Sequence, residues 1–337
     1  MGVLLCGLLA AGSARAADCQ LKQFTSIDIT GLPDRILVPA TIGGVPKTFT
    51  LDLTVSLNYI AEATAAELGL KTRPISSRIS NVDFGAITRL AYAPKFQFGA
   101  VKGEDVEFMV LPQSFAQAGT DGQVGTKIAQ SFAQAGTDGR LGTKIFDKLD
   151  LELDMAHAKM NLFLPDHCPG KVVYWTKTGF AQVPYKKDVA DQIIVPMELD
   201  GQPVSVLLHT GGQSEIGMNA MRRLFKLDEN SPGMTPVESQ TDGPRYYRYP
   251  FKTLVADGLT VGYPKILVRG EAIGEECNGR IHEEEMRAQG HVSNAGRVLV
   301  TCYGGSDIRL GLSVLTKLHL FMSSQERLIY LTGAGAQ

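Results

Sequence analysis

Apolar residues in this chain fall in short runs broken by glycine, proline or charge. Ile36-Leu37-Val38 and Phe49-Thr50-Leu51 lie on either side of Gly43-Gly44. Val195, Met197 and Leu199 alternate with Pro196 and Glu198, and Val204 to Leu208 follows after Asp200-Gly201. Alternation of this kind, interrupted by two turn-forming residues, predicts β-hairpins. Valine, proline, glycine and proline recur in step in the two stretches, at an offset of 157 (195 minus 38), which places Asp52 opposite His209.

The same order of elements continues in both halves. Ala61–Leu70 and Met218–Leu227 have helix-forming composition, and Gly69 stands where the first would stop. Strand-like runs come next, around Phe96–Phe98 with Val106–Leu111, and around Thr253–Val255 with Ile266–Val268. Each half then closes with Arg-Leu-Gly followed by apolar residues at helical spacing: Arg140-Leu141-Gly142 to Leu151, and Arg309-Leu310-Gly311 to Leu320. Their offset is 169 (309 minus 140). Final strands are expected at Lys159–Phe163 and Arg327–Leu331. The reading is an all-β chain of two tandem β-barrel lobes with short helices and a cleft between them. Residues 18–168 form one lobe and 169–337 the other, after an N-terminal segment, 1–17. No glycine-rich flap is apparent between residues 75 and 95.

A hairpin that runs into a polar loop, completed by a hydrophobic-glycine element, resembles the aspartic peptidases, and in particular their retropepsin-like branch. The loop of that family reads Asp-Thr-Gly. Here the second copy reads His209-Thr210-Gly211-Gly212 and the first Asp52-Leu53-Thr54. The resemblance implies Asp52 and His209 as the catalytic pair, with Thr54, Thr210, Gly211 and Gly212 beside an extended peptide or protein substrate. It implies no cofactor and no metal. Such an enzyme activates water between two carboxylates that share one proton. A carboxylate and an imidazole cannot share a proton that way, so the resemblance implies an impaired aspartic-type peptidase. The alternative is a non-catalytic peptide-binding protein on the same scaffold. As plain structural residues, Asp52 would be a turn aspartate and His209 a packed core histidine.

Charge and cysteine content narrow the setting. With 33 basic and 35 acidic residues and a net charge of -2, there is no basic block for nucleic acid or an anionic membrane surface. The apolar start, with Ala14-Arg15-Ala16 after it, fits a signal peptide. This leads to an expectation of a periplasmic or secreted monomer with no membrane anchor after cleavage. Cys19, Cys168, Cys277 and Cys302 then remain, an even count that fits two disulfides, Cys19–Cys168 and Cys277–Cys302, with four free thiols as the alternative. Cys277, His282 and Cys302 match no standard zinc spacing. Ser114–Ile128 recurs as Ser131–Ile145, a tandem duplication with a period of 17 (131 minus 114) within 114–147. Only its second copy runs on into the closing element. Gly119 to Lys127 imitates a phosphate loop but has the wrong spacing.

Overall fold

The structure, a computed structural model, describes residues 20–81, 85–111, 137–188, 191–238, 245–270 and 306–336. The 1–17 segment, the first copy of the duplication, the acidic stretch after 270, and Cys19, Cys277 and Cys302 lie outside the described residues. Cys168 is disulfide-bonded.

Both expected hairpins form. Leu37–Ile42 pairs with Val45–Leu51, and Ile193–Leu199 with Gln202–Leu208. Each is closed by two residues in the left-handed region: Gly43 and Gly44 (φ 59° and 86°) in the first, Asp200 and Gly201 (48° and 78°) in the second. Two consecutive positive φ values give the turn whose twist matches that of the flanking strands. Apolar side chains at alternate positions then face the core: Val38, Ala40 and Ile42 in one hairpin, Val195, Met197 and Leu199 in the other, are all buried.

The strands are organised in three sheets. One belongs to each lobe, and a six-stranded sheet joins the lobes. In the first lobe Gly139–Leu141 runs parallel to Phe49–Leu51 and antiparallel to Tyr59–Ile60. In the second, Ile308–Leu310 lies in the same way between Val206–Leu208 and Glu215–Ile216. The polar loop of each lobe therefore leaves its hairpin and returns on the far side of a third strand. Glycine permits the crossing. A Cβ on Gly139 would stand 2.1 Å from the Tyr59 carbonyl oxygen, and one on Gly311 2.2 Å from that of Gly212.

The joining sheet is built around Asp150–Asp154 paired antiparallel with Leu318–Ser323. Glu152 pairs with Phe321, its own equivalent at an offset of 169 (321 minus 152). Leu151 pairs with Met322 and Leu153 with Leu320. A local two-fold axis thus passes through the Glu152–Phe321 pair. Lys159–Phe163 and Leu328–Gly333 flank the central strands, and Gln23–Asp28 and Ala181–Pro184 form the edges.

The helices are shorter than the composition predicted. The first spans Glu62–Glu67 and ends before Gly69, whose φ is 58°. The second holds α geometry only over Met218–Ala220, widens to a π turn over Met221–Phe225 and stops at Lys226, φ 59°. The region between 75 and 95, where the sequence shows no glycine-rich flap, carries a long hairpin, Lys71–Asn81 with Gly85–Ala93. Pro74 and the run of serine and arginine residues hide it, because neither alternation nor a glycine pair marks its strands.

Replacing Gly311 by alanine forces a methyl group into the Gly212 carbonyl, and overpacking of this kind costs about 1–3 kcal/mol. The expected result is an unfolding free energy lowered by that amount, read as a lower urea midpoint at unchanged slope, with unchanged far-UV circular dichroism. Gly258→Ala, where no atom lies within 4 Å of an added Cβ but φ is 82°, should cost less.

Candidate functional site

Asp52 and His209 follow the last residues of their hairpins and are held by equivalent backbone bonds. The Asp52 N–H donates to the Leu141 carbonyl at 3.0 Å, and the His209 N–H to Leu310 at 2.9 Å. The two loops meet. His209 Nδ1 lies 3.9 Å from Asp52 Oδ1, beyond hydrogen-bond distance, and it is buried with no hydrogen-bond partner. The Asp52 side chain is fully buried, whereas the His209 ring keeps 20% of its surface exposed. The open part of the ring is therefore on an edge other than Nδ1.

Thr210 ties the lobes. Its hydroxyl donates to the Leu51 carbonyl at 2.9 Å and accepts the Leu53 N–H at 3.0 Å, both across the lobe junction. Leu53 cannot return this bond, since its side chain has no hydroxyl, so the tie runs in one direction only. Thr54 instead turns back on its own loop: its N–H and Oγ donate to Asp52 Oδ1 at 2.9 and 2.6 Å. Gly211 packs on the other side of the carboxylate, where an added Cβ would stand 2.7 Å from Oδ2. A Cβ on Gly212 would stand 2.7 Å from His209 Nε2. Thr54 and Thr210 are buried and their hydroxyls are engaged within the chain.

Two residues that the sequence reading did not single out complete the arrangement. Gln192, buried, donates from Nε2 to the Thr54 carbonyl at 2.8 Å and adds a further bond between the lobes. Arg140 sits in the crossing strand of the first lobe, and its Nη1 pairs with Asp52 Oδ2. Burial alone would raise the Asp52 carboxyl pKa. The adjoining Arg140 guanidinium, His209 and the Thr54 hydroxyl together outweigh it and hold the group well below the usual carboxylate range. Asp52 is thus a fixed anion inside a buried ion pair.

Arg140 could have been found from its equivalent. Arg309 stands at the same place in the second lobe, and its Nη1 donates to Glu215 at 2.9 Å. An arginine repeated within an apolar strand points to a carboxylate inside each lobe. In the first lobe the carboxylate it meets is the one at the loop tip.

Crossed loops of this kind, one per lobe and related by a two-fold axis, define a two-lobe all-β scaffold with a polar tip on each lobe. Residues 38–143 match the family model described as aspartyl protease. That span holds the first hairpin, Asp52, the long hairpin and the crossing strand with Arg140. Among solved structures, the aspartic proteinase from Irpex lacteus aligns over 92% of this chain and 97% of its own, at 11% identity and a TM-score of 0.47. No curated protein sequence matches the chain.

Removing Arg140 leaves Asp52 uncompensated. Arg140→Gln should destabilise the fold by about 3–5 kcal/mol, the cost of breaking a buried pair. The double variant Arg140→Gln with Asp52→Asn should recover a large part, as a double-mutant cycle in urea would show. The folded-state pKa of Asp52 lies below its unfolded value. The stabilisation is therefore complete above about pH 4, the ordinary aspartate value, and is lost as the pH falls below it. Asp52→Asn should flatten that acid limb.

Proposed function

We propose that this chain is a peptide-binding protein on the aspartic-peptidase scaffold that does not turn peptides over as the enzymes do. The observation that carries the reading is the Arg140–Asp52 ion pair. Peptidase chemistry of this class needs two facing carboxylates, one of them protonated so that it can donate to the scissile carbonyl oxygen. Here Asp52 is held ionised, is fully buried and has Arg140, Thr54 and Gly211 packed round it. It has no free face to hold a water molecule between itself and a partner. His209 opposite it supplies no second carboxylate.

What supports a retained binding role is the frame around the tips. Thr210 and Gln192 tie the lobes, both crossing strands are in place, and the long Lys71–Ala93 hairpin packs Ile87 and Leu90 in one cluster with Val55 of the first-lobe loop. An extended peptide is the ligand class that a β scaffold with exposed strand edges takes most readily. On the same reading the protein is exported, acts as a monomer and requires no cofactor, with its cysteines joined in disulfides.

The test is incubation with a degenerate peptide library between about pH 3 and 8, the range over which carboxylates and imidazoles titrate. Wild type should bind members of the library, seen by fluorescence anisotropy, without cleaving them. A variant carrying His209→Asp, Leu53→Thr, Thr54→Gly and Arg140→Gln should gain cleavage. Wild-type cleavage that disappears in Asp52→Asn would overturn the proposal.

A further inference from the structure

The joining sheet carries a second polar cluster, independent of the Asp52 site. Asp150, Glu152 and Asp154 alternate along one strand, so all three project from one face, while Leu151 and Leu153 enter the main core from the other. Asp150 and Glu152 are fully buried, and Glu326 adds a fourth carboxylate whose side chain is 9% exposed. Among the described residues, the basic side chains in contact with these four are histidines. His319 of the second lobe meets Glu152 of the first at 2.9 Å through Nε2, and its Nδ1 lies 3.8 Å from Asp154. His167, between the lobes, meets Asp150 at 2.7 Å and lies 3.8 Å from Glu326. Both rings are almost wholly buried, at 6% and 1% exposure. His157, on the surface, caps Asp154 at 2.7 Å.

The remaining groups facing the two rings are neutral. Asn161 and Tyr174 donate to Glu152 at 2.5 and 2.9 Å, and the Trp175 ring stacks on His319 with centroids 4.0 Å apart and planes 3° apart. On the His167 side, Ser324 donates to Asp150 through its N–H and hydroxyl, Ser323 Oγ lies 3.5 Å from the ring, and Tyr330 donates to Glu326 at 2.7 Å. Lys159, the nearest lysine along the sheet, pairs with Asp28 instead. Arg327 acts on Tyr185, whose hydroxyl pKa is raised by burial and by Asp150. Tyr174 and Tyr330 are raised too, by burial and then by Glu152 and Glu326 respectively.

We propose that His167 and His319 are held as imidazolium ions and form a proton-dependent clamp between the lobes. Four carboxylates this close cannot all be ionised in a buried site without counter-charge. The two rings supply it, each from outside the strand that carries Asp150 to Asp154. An imidazolium also stacks favourably on an indole face, which is the geometry Trp175 presents. Loss of the His167 proton leaves Asp150 and Glu326 without counter-charge, and loss of the His319 proton leaves Glu152 and Asp154 so. The stabilisation is therefore present at low pH and is lost as the pH rises through the histidine range, the reverse of the Asp52 dependence.

Two measurements on the full-length protein test the clamp. In wild type, the ring signals of His167 and His319, assigned by single His→Gln variants, should report the charged form in an NMR spectrum recorded at about pH 7. Neutral rings at that pH overturn the proposal. In urea unfolding, the folding equilibrium constant should fall more than about tenfold between about pH 6 and 9. Glu152→Gln, which keeps shape while removing one carboxylate, should shrink that fall. A flat wild-type profile, or a fall of the same size in Glu152→Gln, also overturns it. The urea comparison of wild type with Glu152→Gln gives its answer even if a histidine variant fails to fold. None of these outcomes bears on peptide binding at Asp52 and His209.

Discussion

The chemistry of the lobe junction depends on one buried ion pair, Arg140 with Asp52. It forms because a glycine-flanked strand crosses beneath the loop at van der Waals distance. Gly139 and Gly142 leave no room for side chains there, so the one long side chain of the crossing strand is aimed at the loop tip. Once the guanidinium is in place, the charge on Asp52 is settled and everything around it follows. Thr54 can donate twice to the same oxygen, Gly211 can close over the other, and the neighbouring imidazole does not have to supply a proton.

The second lobe shows the same device with a different outcome. Arg309 lies at the equivalent position, yet its carboxylate, Glu215, comes from the returning strand rather than from the loop tip. The tip there is left to His209, which is partly open and has an unpaired Nδ1. The two lobes thus share a backbone plan and differ in where they place a negative charge.

Much of the fold could be read in the chain. The paired offsets located both hairpins, both crossing strands and the meeting of Asp52 with His209, because period-two burial and two-residue turns leave strong local signals. What stayed hidden was non-local or unpatterned. Arg140 lies 88 residues from Asp52 and reads as an ordinary charged residue until the strand slot is known. Gln192 precedes a hairpin and bonds to a carbonyl in the other lobe, which nothing in its neighbourhood announces. The long Lys71–Ala93 hairpin has Pro74 and a register irregularity between Pro74 and Ile79, so its strands do not alternate. The helices are shorter than their composition implies, because alanine and leucine content favours helix where tertiary packing allows only one or two turns.

The axis through Glu152 and Phe321 has a consequence for assembly. A lone first half that paired with a second copy of itself would set Glu152 against Glu152, with Asp150 of each copy near Asp154 of the other: six acids on one shared face. The unlike partner, with Phe321 at the centre and His319 beside it, removes that repulsion. The seam is thus built from two unlike faces, an acidic one from the first half and one carrying Phe321 and His319 from the second, and the acidic face is matched to that partner rather than to a copy of itself.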